Sequence, residues 1–242
     1  YIYNHASAVV VYGEHVKNYL ETVGVSKDRI FIGNLAVDNS LFSKTISLSE
    51  QIQKKNELNI FSRRVILFVG RLMPEKGLEY LLEAHRIISD KADSVLLIIG
   101  DGPLKDSLKK QAERNVYFVD YVPNDQLIYY YALADIFVLP SVTTPMVKET
   151  WGLVINEAMN QRCAIIATEA VGAAAGGLVI NGKNGFIVPE KNVKALSMAI
   201  LQLLTDDELR ENMSAFSGSY IAKWNYVEMA KGYTEAIYSV IE

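Results

Sequence analysis

Short runs of consecutive apolar, largely β-branched residues, each separated from the next by a stretch of helical spacing, constrain this chain more than any other feature. They fall at residues 65–69 (Val-Ile-Leu-Phe-Val), 95–99, 116–119, 136–139, 164–167 and, last and shortest, 185–188. Strands that are apolar throughout, with no alternation, belong to a sheet covered on both faces. Helices between successive strands require parallel pairing through right-handed crossovers. The intervening pattern is helical: Leu78, Leu81, Leu82, His85 and Ile88 share one face, and further helices are predicted over 104–114, 125–134 and 152–161. The fold class is therefore α/β, a Rossmann-like doubly wound parallel sheet. Three helical patterns without a strand over 192–241 form a C-terminal helical tail.

Upstream of the regular alternation, residues 1–38 read as a short α/β unit of their own, with strand-like runs at 8–12 and 29–32 around a helix from Glu14 to Val23. Residues 39–62 are polar and weakly patterned, as expected of a linker or surface helix. The predicted division is 1–38, 39–62, 63–222 for the main domain and 223–242 for a final crossover helix. The chain begins at Tyr1, not Met, and has no signal-peptide pattern, so the expectation is a piece of a longer protein. No apolar run is long enough to span a bilayer. The net charge of −4 lacks the basic excess that nucleic-acid binding requires, so no nucleic acid is expected as partner. Cys163 is the one cysteine and fits a reducing compartment; His5, His15 and His85 share no metal-ligand spacing.

Ligands of such sheets bind beyond the carboxyl ends of the strands, which directs attention to the loops after strands. The first is Gly70-Arg71-Leu72-Met73-Pro74-Glu75-Lys76-Gly77. Gly70 lets the backbone leave the strand sharply. Arg71 and Lys76 suit a diphosphate, one by forked hydrogen bonds and the other as a point charge. The competing reading is a solvated loop in which Glu75 pairs with Lys76. The second constellation is Glu149-Thr-Trp-Gly-Leu-Val-Ile-Asn-Glu157. Free amides of Gly152, Leu153 and Val154 at a helix start favour a phosphate. Glu157 would then accept from ribose hydroxyls and Glu149 from sugar hydroxyls, because an ionised carboxylate is acceptor-only. Taken singly, Glu149 as a dipole partner and Glu157 as an exposed helix residue are adequate alternatives. A hydrolytic carboxylate pair is weaker, since spacing does not set the two across a scissile bond. Gly100-Asp101-Gly102-Pro103 reads as a turn. The strand end at Val119, Tyr121 and Val122 offers backbone groups to a base edge, 172–177 reads as a flexible small-residue segment, and Tyr129-Tyr130-Tyr131 reads as helix packing.

The order Val-Gly70-Arg71 with Lys76-Gly77, Ile-Gly100-Asp-Gly-Pro, Leu-Pro140-Ser141, the two glutamates, Glu157-Ala-Met and Asn184-Gly185-Phe resembles the retaining glycosyltransferases of family four, which have the GT-B fold. The resemblance covers residues 1–241, and its most specific part is the glutamate pair. It implies that Arg71 and Lys76 hold the diphosphate of a UDP- or GDP-sugar, that Glu149 touches the donor sugar, and that Glu157 holds the ribose. Amides at Gly152, Leu153 and Val154 would meet the phosphates, and Val119, Tyr121 and Val122 the base. No cofactor and no metal are implied. In these terms residues 1–38 resemble the end of the N-terminal acceptor domain, the helix over 226–241 crosses back to it, and the rest of that domain is the missing partner. The sequence departs from the family pattern at Arg162-Cys163-Ala164, where glycine-x-proline is usual, at Asp120, where glycine is frequent, and at Val171-Gly-Ala-Ala-Ala-Gly-Gly, where the usual loop is shorter.

The implied function is transfer of a glycosyl group from a nucleotide-diphosphate sugar to a glycan, lipid or small-molecule acceptor with retention, Arg71, Lys76 and Glu149 standing nearest the reaction. Alternatives are a nucleotide-binding module without turnover on its own and a GT-B-like nucleotide-sugar epimerase. A dehydrogenase is disfavoured, because no Gly-x-Gly-x-x-Gly follows a first strand. The expected location is cytoplasmic, at the inner face of the membrane if the acceptor is a lipid.

Overall fold

The computed structural model describes residues 2–60 and 64–241. In chain order the elements are α1 (Ile2–His5), β1 (Val9–Val11), α2 (Glu14–Thr22), β2 (Ile30–Ile32), α3 (Asn39–Phe42), α4 (Leu48–Glu57), β3 (Arg64–Val69), α5 (Leu78–Ile88), β4 (Ser94–Ile99), α6 (Lys105–Gln111) and β5 (Val116–Val119). They continue with α7 (Asn124–Tyr131), β6 (Ile136–Leu139), α8 (Val154–Asn160), β7 (Ala164–Thr168), α9 (Gly172–Ala175), β8 (Gly185–Val188), α10 (Val193–Thr205), α11 (Asp207–Ile221) and α12 (Tyr226–Ile241).

Six strands form one wholly parallel sheet in the order β5-β4-β3-β6-β7-β8. Val65, Ile66, Leu67 and Phe68 of β3 have no solvent exposure on either face, which is why this strand carries no polar alternation. The predicted face of α5 is the observed one: Leu78, Leu81, Leu82, His85 and Ile88 are all buried. The chain runs outward from β3 to β5 and then returns to β6 on the other side of β3. The crossovers after β3 and β6 therefore run in opposite directions, which places a topological switch point at the carboxyl edge of the sheet between these two strands.

β1 and β2 form a separate parallel pair with a small core of Val11, Leu20, Val25 and Ile30. α12 lies on this pair, so closely that a side chain at Gly232 would collide with the Ile32 carbonyl. Trp224, just before α12, meets Trp151 of the main domain at 5.4 Å between rings. The expected linker is more integrated than its polarity implied. α4 is a surface helix with a Ser47/Glu50 capping box, yet Phe42 and Ile60 to either side are buried in the main core. Residues 61 and 62 of that segment, and 63 after it, lie outside the described residues. Among the described residues no helix is long and apolar enough to cross a membrane.

Candidate functional site

The loop after β3 is held against the loop after β6. Residues Pro74–Lys76 make one tight helical turn, and Gly77 follows with φ 62°. A Cβ at Gly77 would collide with the Pro140 carbonyl, so only glycine allows this approach. Val142 N–H donates to the Glu75 carbonyl at 2.8 Å across the same seam. Lys76 thereby reaches Glu149, not Glu75: its Nζ pairs with Glu149 Oε2, which also accepts from Ser141 Oγ at 3.2 Å. The side chains are only 16% and 13% exposed, so the pair is sheltered at the sheet edge.

The Glu149 loop is fixed from behind. Gly172 N–H donates to the Glu149 carbonyl at 3.0 Å and Ala173 N–H to the Trp151 carbonyl at 2.9 Å. A Cβ at Gly172 would run into the Thr150 carbonyl. The segment 172–177, read from sequence as flexible, begins instead with an ordered buried turn, α9, because its small residues let it sit flush against this loop. Trp151 is almost fully buried and donates through Nε1 to Asn156 Oδ1 at 3.0 Å. α8 starts at Val154, two residues later than predicted, since Gly152 has φ 90°. The N–H groups of Gly152, Leu153 and Val154 have no hydrogen-bond partner among the described residues.

Glu157, on the first turn of α8, is 8% exposed, which rules out the solvated-helix alternative. Its Oε2 accepts from the Tyr131 hydroxyl at 2.7 Å. Burial pushes the carboxyl up to about 7, the tyrosine hydrogen bond opposing that shift. Burial and the facing carboxylate raise the Tyr131 phenol well above its ordinary value.

A cleft of about 420 Å³ joins these parts. Gly70 and Arg71 form one wall, Val154 and Glu157 another, and Tyr121 and Val122 the far end. Arg71 is exposed and makes no ion pair among the described residues. Lys76, Glu149, Gly152 and Leu153 stand beside this cleft without lining it, and Val119 faces elsewhere, its carbonyl accepting from Gly100 N–H at 3.0 Å. Asp101, Asn124 and Leu127 line the cleft but were not singled out; Asp101 lay in a motif read as a plain turn. Tyr131 was read as packing, and the one available signal was that a buried tyrosine hydroxyl needs a partner.

The sequence profile of the family described as glycosyl transferases group 1 matches residues 50–217. The chain belongs to that family. Among curated relatives, it is 28% identical to the capsular polysaccharide biosynthesis glycosyltransferase CapM of Staphylococcus aureus, over 86% of this chain and 55% of CapM. It is 29% identical to a GDP-mannose-dependent phosphatidylinositol monomannoside mannosyltransferase of Mycobacterium tuberculosis, over 80% of this chain and 52% of the relative. The chain thus spans about half the length of these relatives. Its fold matches Anabaena Alr3699/HepE, solved with UDP, with a TM-score of 0.84 at 21% identity over 97% of this chain and 64% of that one. The C-terminal domain of a group 1 protein (LpcC) of Francisella tularensis aligns over 77% of this chain and 97% of its own length, with a TM-score of 0.67 and 25% identity. The α/β, GT-B-type fold expected from sequence is the observed one.

Proposed function

We propose that this chain is the donor-binding part of a retaining glycosyltransferase that uses a UDP- or GDP-sugar without a metal. The observation that carries the reading is the convergence on one cleft of a group 1 family member of Arg71, which makes no ion pair among the described residues, and a buried carboxyl, Glu157. In this reading the diphosphate lies on Arg71 and reaches Lys76 and the amides of Gly152, Leu153 and Val154. The ribose donates to Glu157, and the base lies against Tyr121 and Val122. The donor sugar then meets Glu149, next to Lys76. Cations around the diphosphate stabilise the charge that develops as the anomeric carbon–oxygen bond breaks. The acceptor oxygen bonds to that carbon on the same face, and its proton passes to the departing phosphate.

The acceptor, a glycan, lipid or small molecule, would be held by a domain beyond this chain, with residues 1–38 its end, 39–62 a connecting segment, 63–222 the donor domain and 223–242 the helix that crosses back. Exposed Tyr226, Tyr233, Ile237 and Ile241 on α12 support such a seat. Calorimetric titration with UDP, GDP and ADP tests the donor assignment. One diphosphate should bind, and an Arg71→Ala, Lys76→Ala double variant should bind it roughly a hundredfold or more weakly. A folded chain that binds none of them, or a double variant with unchanged affinity, overturns it.

A further inference from the structure

α8 has two ends. Glu157 on its first turn meets the nucleotide cleft, whereas Asn160 and Gln161 at its other end border a separate cleft of about 740 Å³. Among the described residues that line this second cleft none is a carboxylate, although the chain as a whole is acidic. Two cations do line it, Lys44 and Arg162. Arg162 forms no ion pair among the described residues. Its φ of 59° holds a non-glycine residue in the left-handed region, a conformation that costs energy and persists only where the surroundings enforce it. The Asp38 carboxyl is held below its ordinary value first by hydrogen bonds from the Ser40 hydroxyl and the Leu41 N–H, and also by the nearby Lys44 cation.

The amides of this cleft are oriented. Asn160 Nδ2 donates to Asn39 Oδ1 and to the Asn156 carbonyl, both at 2.9 Å. Gln161 Nε2 donates to the carbonyls of Phe42 and Lys44, the latter at 2.9 Å, and Gln51 Nε2 donates to the Ile46 carbonyl at 2.9 Å. With their donor ends committed to the wall, the side-chain oxygens of Asn160, Gln161 and Gln51 have no donor among the described residues and stand as acceptors. Ser43 and Thr45 add hydroxyls beside them. Fixed acceptors match a ligand rich in hydroxyl groups, and cations without a lining carboxylate match a negative charge on it.

We propose that this cleft is a second ligand site, for an anionic carbohydrate: a sugar bearing a phosphate or a carboxylate, its ring hydroxyls donating to Asn160, Gln161 and Gln51 and its charge on Arg162 and Lys44. The assignment does not depend on what occupies the nucleotide cleft.

The test is nitrogen-15 NMR of the whole chain titrated with glucose 6-phosphate, glucuronate, glucose and inorganic phosphate. One of the two acidic sugars should shift the side-chain amide signals of Asn160 and Gln161, and bind roughly tenfold or more tightly than glucose or inorganic phosphate. Arg162→Gly and Lys44→Gln should each weaken that binding roughly tenfold or more. Because glycine accepts the left-handed backbone without strain, Arg162→Gly should keep or raise thermal stability, so lost binding there is not lost folding. Three results overturn the proposal: no shift by either acidic sugar up to roughly 10 mM, which is weaker than a specific site gives; an equal response to glucose or inorganic phosphate; or shifts confined to the cleft around Tyr121 and Glu157.

Discussion

Replacing Glu157 by glutamine should change how the stability of this protein depends on pH. Burial moves the carboxyl from its ordinary 4.5 to about 7, and at 8% exposure little solvent remains to screen it. A folded-state value above the unfolded one means that the native protein holds the proton more tightly. The corresponding stability is complete below pH 4.5 and is lost as pH rises through 7. That change corresponds to about 3 kcal/mol, of which between about 2 and 3 kcal/mol disappears between pH 5 and 8. Glutamine has the same shape, still accepts from the Tyr131 hydroxyl and does not titrate. The variant should therefore gain between about 2 and 3 kcal/mol on the wild type when the comparison moves from pH 5 to pH 8. Urea unfolding followed by the fluorescence of Trp151 and Trp224, both buried, measures this at each pH, and an uncharged denaturant leaves the electrostatics unscreened. An identical difference between the two proteins at pH 5 and pH 8 would refute the reasoning.

Two further outcomes follow from the same structure. Both ring nitrogens of His85 are buried without a partner among the described residues, and burial lowers the imidazole from 6.5 to about 4. That depressed value gives stability present above pH 6.5 and lost as pH falls through 4, so His85→Leu should raise neutral-pH stability by about 1 to 3 kcal/mol and shift acid unfolding to lower pH, as read by circular dichroism. Gly172→Ala should lower stability by about 1 to 3 kcal/mol, because its methyl group displaces the Thr150 carbonyl. Thermal unfolding with and without UDP should show that loss together with weaker nucleotide binding, and a variant as stable as the wild type would contradict the close fit of α9 to the Glu149 loop.

The strands and their order of appearance were legible because a doubly covered sheet demands continuous apolar runs, a signal local in sequence. The placement of Arg71 and Glu157 at the carboxyl edge was legible for a related reason, one standing just beyond a strand and the other within a helix start. What escaped was set by contacts between distant segments. Nothing near Lys76 shows that its partner is Glu149 rather than the adjacent Glu75, because that choice depends on Gly77 meeting Pro140. The role of Tyr131 depends on α7 and α8 lying side by side, and a tyrosine triplet at helical spacing gives no hint of it. Residues 172–177 read as flexible because small residues carry no apolar pattern, yet the same smallness lets α9 seat beneath the Glu149 loop. Residues 39–62 looked like a linker because Phe42 and Ile60, which anchor the segment in the core, sit in short apolar pairs that show no helical or strand periodicity within a polar stretch.

The most direct test of the donor-site assignment is a crystal structure of this chain grown with UDP and, separately, with GDP. A diphosphate on Arg71, ribose hydroxyls donating to Glu157 Oε1 or Oε2, and the base against Tyr121 and Val122 are expected. A nucleotide seated elsewhere, or in this cleft with its ribose away from Glu157, would contradict that assignment.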